Sequence, residues 1–208
     1  GRLSKIDSDG YVDRAYSDLK SYFIQVAYTN GSTLIKAISF GGHEKTYQAW
    51  DGLSMDQVLE NRRQNPLTYE NEIDNYKQDH FQLHWNEKTN NYWSFNLGLN
   101  YTDGRGYFEQ YKEDDDINTY GGIVKSDIDS NGNETGTTDL IRRRWLDNDF
   151  YVLNSSINYI KDKIDLTLSS SYSSYFGDHY GEVIWARSLS NTGEIRDRYY
   201  AVSYTHLT

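Results

Sequence analysis

The chain has 208 residues, a formal net charge of -10 and no cysteine. The negative charge argues against nucleic acid as a partner, and the lack of cysteine excludes disulfides and thiolate metal sites. The mean hydropathy is -0.85, and no apolar run reaches the ~18 residues that a transmembrane helix needs. With 20 tyrosines, 5 tryptophans and a single proline, the composition favours a β-sheet.

The first part of the chain predicts a loop followed by a hairpin. Gly1–Ala15 is polar and rich in turn formers, so we expect a loop there. Leu19–Tyr28 alternates apolar with polar residues, which indicates a strand with one apolar face. An Asn-Gly pair, a strong hairpin signal, leads into the predicted return strand Thr33–Gln48, and Ala49–Glu72 is a long polar connection. The apolar side chains of the return strand are Leu34, Ile38 and Phe40.

The most regular alternation lies in the fourth predicted strand, Asn91–Gln110. A tight turn joins it to the third predicted strand, Asp74–Asn86. About ten residues alternate strictly, which is roughly twice the length of an ordinary strand and enough to cross a bilayer in a tilted orientation. The apolar face, which we predict to contact lipid, holds Trp93, Phe95, Leu97, Leu99 and Tyr101.

The second part of the chain repeats this plan. Tyr111–Thr138 is an acidic loop rich in glycine and asparagine. Leu140–Tyr159 and a strand that starts at Ile164 form a further hairpin with a short turn between them. Another loop is predicted after Arg187.

Short turns and long loops alternate along the chain, so every long loop falls at the same end of the predicted sheet. A β-sandwich has no reason for this asymmetry, whereas outer-membrane barrels have short periplasmic turns and long extracellular loops. We therefore predict an all-β fold, an antiparallel up-and-down meander of about six long strands that belongs to a transmembrane β-barrel. Leu166 and Leu168 join the predicted lipid-facing residues, and Asn96, Asn100 and Asn154 are predicted to face the barrel interior.

Two patterns look like metal sites, but neither has the required geometry. His80 and His84 lie four residues apart, which on a strand separates them by about 13 Å, too far for one ion. Asp127 opens a D-x-D-x-N-G sequence like that of a calcium loop, yet Thr138 stands where a bidentate glutamate is needed. We predict that the two histidines are polar residues that face the barrel interior, and that the sequence around Asp127 forms a turn at a loop tip. We predict no bound metal and no cofactor.

Candidate ligand contacts fall at the long-loop end, and they are Asp114, Asp115, Asp116, Arg142, Arg144 and Trp185. The acidic run is either a solvated loop or a contact for a cation or ligand. The arginines either pair with nearby aspartates, meet lipopolysaccharide phosphates, or bind an anionic ligand such as a ferric chelate. His179 lies between Asp178 and Glu182, but no serine or cysteine nucleophile motif accompanies it, so we predict that the chain is not an enzyme.

Six segments resemble the barrel of TonB-dependent receptors of the Bacteroidota type, and together they span nearly all of residues 1–200. They are LSKIDSDGYVDRAYSDLKSYF, LIKAISFGGHEKTYQAW, DNYKQDHFQLHWN, GRGYFEQYKEDDD, TDLIRRRWLDNDFY and GDHYGEVIWAR. The resemblance implies an outer-membrane barrel of about 22 strands closed around a plug domain. Residues 1–201 would be one part of that barrel, with the plug and the closing strand elsewhere. The last seven residues, VSYTHLT (202–208), resemble a translated sequencing adapter, and we expect them to be foreign to the fold.

The resemblance also implies a function, which is uptake of a scarce solute energised from the inner membrane. The implied partners are outer-membrane lipid, the plug, the TonB complex and a small solute, with an iron chelate as the favoured solute. Three alternatives stay open at this point: a glycan-importing receptor of the same family, a passive porin, and a soluble carbohydrate-binding β-sandwich.

Overall fold

The computed structural model describes residues 1–190 and 198–207. Its strands form one antiparallel sheet in which each strand pairs with its neighbours in the sequence, so the predicted all-β, up-and-down meander is confirmed. There are eight strands rather than about six. In chain order they are β1 (Arg2–Ser8), β2 (Ser17–Thr29), β3 (Thr33–Tyr47), β4 (Ile73–Lys88), β5 (Trp93–Asp116), β6 (Thr137–Lys161), β7 (Ile164–Ala186) and β8 (Arg198–Leu207). β1 and β8 lie at opposite edges and do not pair, so the sheet is open.

Helical structure is confined to the connections between strands. α1 (Met55–Glu60) follows Ser54, whose hydroxyl accepts a hydrogen bond from the Gln57 N–H while the Gln57 side chain accepts one from the Ser54 N–H. This reciprocal capping explains a short helix in an otherwise irregular segment. A 3-10 helix covers Ile117–Tyr120. No helix in the described part of the chain is long and apolar enough to cross a membrane.

The first strand corrects the loop that we predicted for Gly1–Ala15. Arg2–Ser8 forms β1 and pairs in register with β2 along its whole length. Pairing at a sheet edge uses backbone groups and requires no alternation of side chains, so hydrophobic periodicity did not indicate this strand.

The last strand, β8, pairs with β7 and includes Val202–Leu207. This pairing corrects the prediction that these residues are foreign to the fold. Their foreign origin stays a prediction, because pairing with β7 is a property of the sequence whatever its source. Thr208 lies outside the described residues.

The central hairpin of β5 and β6 is longer than predicted. β5 continues to Asp116 and β6 begins at Thr137. The loop between the two strands therefore spans 117–136 rather than Tyr111–Thr138. Between Lys112 and Asp115 the pairing register shifts, and Asp114 adopts a left-handed conformation with φ of 47°. A bulge of this kind interrupts the regular pairing, which resumes at Asp115 and Thr138, and it bends the strand at the loop end.

The predicted alternation of short and long connections is confirmed by the strand boundaries. The short turns are 30–32, 89–92 and 162–163, and they lie at one end of the sheet. The longer connections 9–16, 48–72 and 117–136 lie at the other end, which we call the loop end. The loop predicted after Arg187 starts there, and its residues 191–197 lie outside the described part of the chain.

Buried apolar side chains form a small cluster at the loop end. The 117–136 loop folds against β6 and β7 and packs its own side chains on theirs. The cluster consists of Tyr120, Val124, Leu140, Val183 and Ala186. This core holds a loop onto one face of the sheet and does not fill the space between two sheets.

Candidate functional site

One face of the sheet carries a continuous band of apolar side chains that lie in register across the strands. Leu83 on β4 pairs with Leu99 on β5, which pairs with Leu153 on β6, which pairs with Tyr172 on β7. Because side chains alternate along a strand, residues two positions away in each strand lie on the same face. This apolar band includes all seven residues predicted to contact lipid, namely Trp93, Phe95, Leu97, Leu99, Tyr101, Leu166 and Leu168.

The apolar band is exposed, although it is composed of large apolar residues. On β4, Phe81, Leu83 and Trp85 are 46%, 40% and 39% exposed, whereas the intervening Gln82 and His84 are partly buried. A sheet that packs on a soluble core shows the opposite pattern. Leaving such side chains in water costs about 1.5–3 kcal/mol each relative to burial, so the band requires an apolar partner.

The band has a limited height and aromatic borders. From Trp93 to Tyr101 the strand rises about 27 Å, which a tilt of about 45° would reduce to roughly 19 Å, compared with an apolar band of about 25 Å in outer-membrane barrels. Aromatic rings border it on both sides. Trp93 lies 4.7 Å from Tyr159 beside the short turns, and Tyr101 lies 4.8 Å from Tyr151 towards the loop end.

The opposite face is predominantly polar, and its side chains bond to one another. Asn96 donates from Nδ2 to Ser156 Oγ at 3.0 Å, and Ser171 donates to Asn154 Oδ1 at 2.7 Å. Asn100 lies on this face with them, and the prediction that this face lines a barrel interior stays a prediction. We call this side of the sheet the polar face.

The polar face also holds Leu34, Ile38 and Phe40, which corrects the prediction that these residues form the apolar face of Thr33–Gln48. The register pairs Ile38 with Gln82 and Phe40 with His80, which places both side chains, and Leu34 with them, opposite the apolar band. On β3 the band position is filled by Ile35, Ala37 and Ser39. The alternation in β3 is weak on both faces, so only the register of its neighbours identifies which face is which.

The two histidines lie on the polar face, each hydrogen-bonded to a neighbour. The His80 ring nitrogen Nδ1 and Thr102 Oγ1 are 2.8 Å apart, and His84 Nε2 lies 3.3 Å from Gln82 Oε1. Among residues 1–190 and 198–207, no group of three or more His, Asp or Glu side chains converges as a metal site would.

The acidic run at the end of β5 contributes contacts that shape the loop, and a role for it in ligand binding stays a prediction. The Asp114 N–H donates to Asp139 Oδ1 at 3.0 Å, and Asp115 Oδ2 accepts a hydrogen bond of 2.6 Å from the Tyr120 hydroxyl. Asp116 caps the 3-10 helix by accepting from the Asn118 N–H. Each of the three aspartates therefore has a local structural role.

The remaining predicted ligand residues separate in space. Arg142 is only 8% exposed, and its guanidinium donates to the Tyr120 hydroxyl and to Gln110 Oε1. Arg144 is half-buried on the polar face. Trp185 pairs with Ile141 and so lies on the face opposite both arginines. The structure therefore does not bring the six predicted residues together.

Arg144 instead belongs to a cluster that the sequence did not reveal. Its Nε donates to the Tyr199 hydroxyl at 3.4 Å, and its guanidinium carbon lies 5.9 Å from the centre of the Phe108 ring. The Phe108 ring in turn contacts Trp50 edge-on, with 5.8 Å between ring centres. Asp74 is the cross-strand neighbour of Phe108, and burial raises the pKa of its carboxyl above the usual value. We call Trp50, Asp74, Phe108, Arg144 and Tyr199 the rim cluster.

The rim cluster lies at the loop end of the polar face, beside a cavity of about 410 Å³ that Trp50 and Asp74 line together with Thr46. Gly181 on β7 permits this arrangement, because a Cβ atom there would collide with the Tyr199 and Tyr200 rings. Trp50 comes from the long 48–72 connection and Tyr199 from β8. Sequence periodicity cannot relate such distant segments, and only the strand pairing shows their proximity.

Two buried carboxylates, Glu109 and Asp139, fasten loops at the loop end of the sheet. Glu109 accepts from the Tyr69 hydroxyl at 2.6 Å and pairs with Arg143 at 2.7 Å, which ties the 48–72 connection to β5 and β6. Burial, followed by the hydrogen bond to Glu109, raises the pKa of Tyr69 to about 12. Asp139 accepts from Tyr111 at 2.6 Å.

The calcium-like sequence around Asp127 is a turn, as predicted. Asp127 Oδ1 accepts from the Thr138 and Ser188 hydroxyls at 2.9 and 2.8 Å. Asp129 Oδ1 accepts from the N–H groups of Asn131 and Asn133 at 2.8 Å each. These carboxylates are used to shape the loop.

No protein-family model matches the chain, and no curated protein matches it. The resemblance to TonB-dependent receptors therefore stays a prediction. What the structure establishes is an open antiparallel sheet with an exposed apolar band on one face and a polar face with a rim cluster on the other.

Proposed function

We propose that this sheet is part of a transmembrane β-barrel in the outer membrane of a Gram-negative bacterium, and that the protein is a TonB-dependent receptor. The observation that carries the proposal is the exposed apolar band, which faces away from the polar side of the same strands. Lipid is the partner that such a band fits, because most of its side chains are apolar and it is bordered by aromatic rings.

The open edges of the sheet set a requirement for this proposal. An unpaired backbone group in hydrocarbon costs several kcal/mol, so strands span membranes only in closed barrels. The edges of β1 and β8 must therefore pair with further strands. In the receptor family that the sequence resembles, further strands close the barrel around a plug, and the polar face would contact that plug.

The rim cluster supports an anionic solute, and within the proposal that solute is an iron chelate. Arg144 supplies a guanidinium on the polar face, and no carboxylate lies within 4 Å of it among the described residues. Phe108 and Tyr199 contact this guanidinium, and Trp50 extends the aromatic surface through its edge-on contact with Phe108. A negatively charged chelate with flat organic groups matches this combination of charge and aromatic rings.

A glycan-importing receptor of the same family is the second candidate. The cavity beside Trp50 favours it, because a sugar ring stacks on tryptophan and its hydroxyls bond to carboxylates such as Asp74 and Glu44. Uptake assays that compare ferric chelates with oligosaccharides, in cells with and without TonB, separate the two candidates. Uptake that persists without TonB would instead support a passive porin.

The membrane location can be tested with the tryptophans of the protein itself. We would reconstitute the complete protein in vesicles that contain brominated lipids, using variants that retain only Trp93, only Trp85 or only Trp50. Bromine quenches nearby indole fluorescence, so Trp93 and Trp85 are expected to be quenched and Trp50, on the polar side, is not. Equal protection of all three residues would contradict the proposal and favour a soluble sheet.

A further inference from the structure

Two Asn-Gly pairs occur in the chain, and both lie in exposed turns. Asn30-Gly31 is in the short turn between β2 and β3, and Asn131-Gly132 is in the 117–136 loop. All four residues are exposed, and a Cβ atom at either glycine would have nothing within 4 Å. Water and space are therefore equally available at the two pairs, and the hydrogen bonds around them make the difference.

An Asn-Gly pair can react with itself, because glycine leaves its backbone nitrogen sterically open. The nitrogen loses its proton to solvent and attacks the asparagine Cγ atom, the Cγ–Nδ2 bond breaks, and Nδ2 leaves as ammonia. Water then opens the resulting five-membered succinimide at one of its two carbonyl carbons, which gives aspartate or isoaspartate. One water is consumed and one ammonia is released, with no oxidation or reduction.

Two features of the surroundings set the rate of this reaction. The first is the ease with which the glycine N–H loses its proton, since a hydrogen bond to an acceptor must be given up beforehand. The second is the stabilisation of the negative charge that develops on the asparagine Oδ1 atom during the attack, which nearby donors supply. The two pairs can be compared on both.

The glycine N–H is free at the first pair and bound at the second. In the part of the chain that the structure describes, the Gly31 N–H donates no hydrogen bond, whereas the Gly132 N–H donates to the Asp129 carbonyl at 3.0 Å. The Asp129 carboxylate also accepts from the Asn131 N–H at 2.8 Å, so a negative charge stands beside this peptide. The hydrogen bond and the charge both oppose the loss of a proton from Gly132.

The short turn also directs donors at the side-chain carbonyl of Asn30. Its Oδ1 atom accepts from the Thr33 N–H at 3.3 Å, and the Ser32 hydroxyl oxygen lies 3.5 Å from the same atom. These contacts are long in the resting turn, and they strengthen as negative charge develops on Oδ1. The turn thus combines a polarised side-chain carbonyl with a glycine nitrogen that has no competing acceptor.

We propose that Asn30 is a modification site, at which the folded turn promotes succinimide formation with Gly31 and conversion to aspartate and isoaspartate, while Asn131 is protected. The inference does not rest on the proposed function. Conversion places a new carboxylate at the short-turn end of the sheet, and isoaspartate also lengthens the main chain of the turn by one carbon atom. The Ser32 carbonyl accepts from the Lys88 N–H at 2.7 Å, so the change reaches the end of β4.

The test compares the two pairs within one molecule, so Asn131 is the matched control for Asn30. The complete protein, folded in detergent, is kept in mildly alkaline buffer and digested at intervals, and mass spectrometry of the peptides measures the conversion of amide to acid at each asparagine. Asn30 is expected to convert about tenfold faster than Asn131, because the Gly132 N–H must first give up its hydrogen bond. In concentrated urea, where the turns are lost, the two rates are expected to become similar.

Three results would overturn the inference. Equal rates in the folded protein, or a faster rate at Asn131, would show that the hydrogen bonds do not control the reaction. A difference that persists in urea would assign it to the neighbouring residues in the sequence and not to the turn. Aspartate formed at Asn30 without isoaspartate would indicate direct hydrolysis of the amide, since a succinimide opens at either carbonyl.

Discussion

Glu109 and Arg143 face each other across β5 and β6, with 2.7 Å between Glu109 Oε2 and Arg143 Nε. Glu109 is only 3% exposed, and its other oxygen accepts from the Tyr69 hydroxyl. One buried carboxylate thus joins two strands and the long 48–72 connection. Such a pair is sensitive to the loss of one partner, because the other charge is then left buried and uncompensated.

We therefore expect Arg143→Gln to lower the free energy of unfolding by about 3 kcal/mol and to loosen the 48–72 connection. The measurement is urea unfolding of the complete protein in detergent, followed by protease digestion to detect cleavage in the connection. The double variant Arg143→Gln with Glu109→Gln serves as the control, since it removes both charges and is expected to recover most of the loss. A double variant as unstable as the single one would show that the charge balance is not the cause.

The assignment of the two faces predicts opposite effects for the same substitution at two adjacent residues of β5. Leu97 lies in the band and Asn96 lies on the polar face, where it donates to Ser156. Leu97→Arg should cost about 2–4 kcal/mol at the middle of a bilayer and prevent assembly into the outer membrane. Asn96→Arg is expected to assemble, with the charge in the interior. The assay is the heat-dependent shift in gel mobility that folded barrels show, and equal assembly of both variants would contradict the assignment of the two faces.

The strands with strict alternation could be predicted from the sequence alone. In β5 the large residues Trp93, Phe95 and Leu97 alternate with small polar ones, so the strand, its length and its two faces follow from the pattern. In β3 the pattern fails, because Ala37 and Ser39 fill the band while Ile38 lies on the polar face. The pairing of β3 with β2 and β4 decides which of its side chains lie on each face. The local sequence pattern of β3 does not contain this information.

The rim cluster shows the limit of sequence reasoning for the candidate site. Arg142 and Arg144 look equivalent in the sequence, since both fall on the same face of a strand. Their environments differ because the 117–136 loop folds over Arg142 with Tyr120, while Arg144 lies beyond that loop next to Phe108. Tertiary packing, and not residue type or spacing, decides which of the two is available to a ligand.

The anchor at Asp139 predicts that the loop end loosens in acid. Asp139 accepts from Tyr111 and from the Asp114 N–H and pairs with Arg187. Burial by itself would raise the pKa of Asp139, but these donors hold the pKa below the usual value. Since the folded-state pKa is lower than the unfolded one, the stabilisation is complete above pH ~4 and is lost as the pH falls through the folded-state pKa.

Hydrogen–deuterium exchange at the loop end of the complete protein measures this effect. Exchange in the 117–136 loop is expected to rise below pH ~4 after correction for the intrinsic rate, and to return when the pH is restored. Asp139→Asn should give the same raised exchange at neutral pH, because its amide cannot act as the charged acceptor. Asp162→Asn, in a short turn at the far end of the sheet, is the matched control and should leave the loop unchanged. A loop whose exchange is independent of both pH and Asp139 would contradict the prediction.

Substitutions of Arg142 and Arg144 on β6 separate a role in ligand binding from a role in loop structure. Arg144→Gln removes the guanidinium beside Phe108 and Tyr199, and we expect it to weaken binding of an anionic iron chelate about tenfold while the barrel assembles normally. Arg142→Gln removes a donor to Tyr120 from a buried position, so its expected effect is a less stable 117–136 loop. Equilibrium binding by fluorescence quenching and unfolding in urea, measured on both variants, distinguish the two roles. If Arg144→Gln destabilises the protein as much as Arg142→Gln does and leaves chelate affinity unchanged, the rim cluster is a structural contact and not a ligand site.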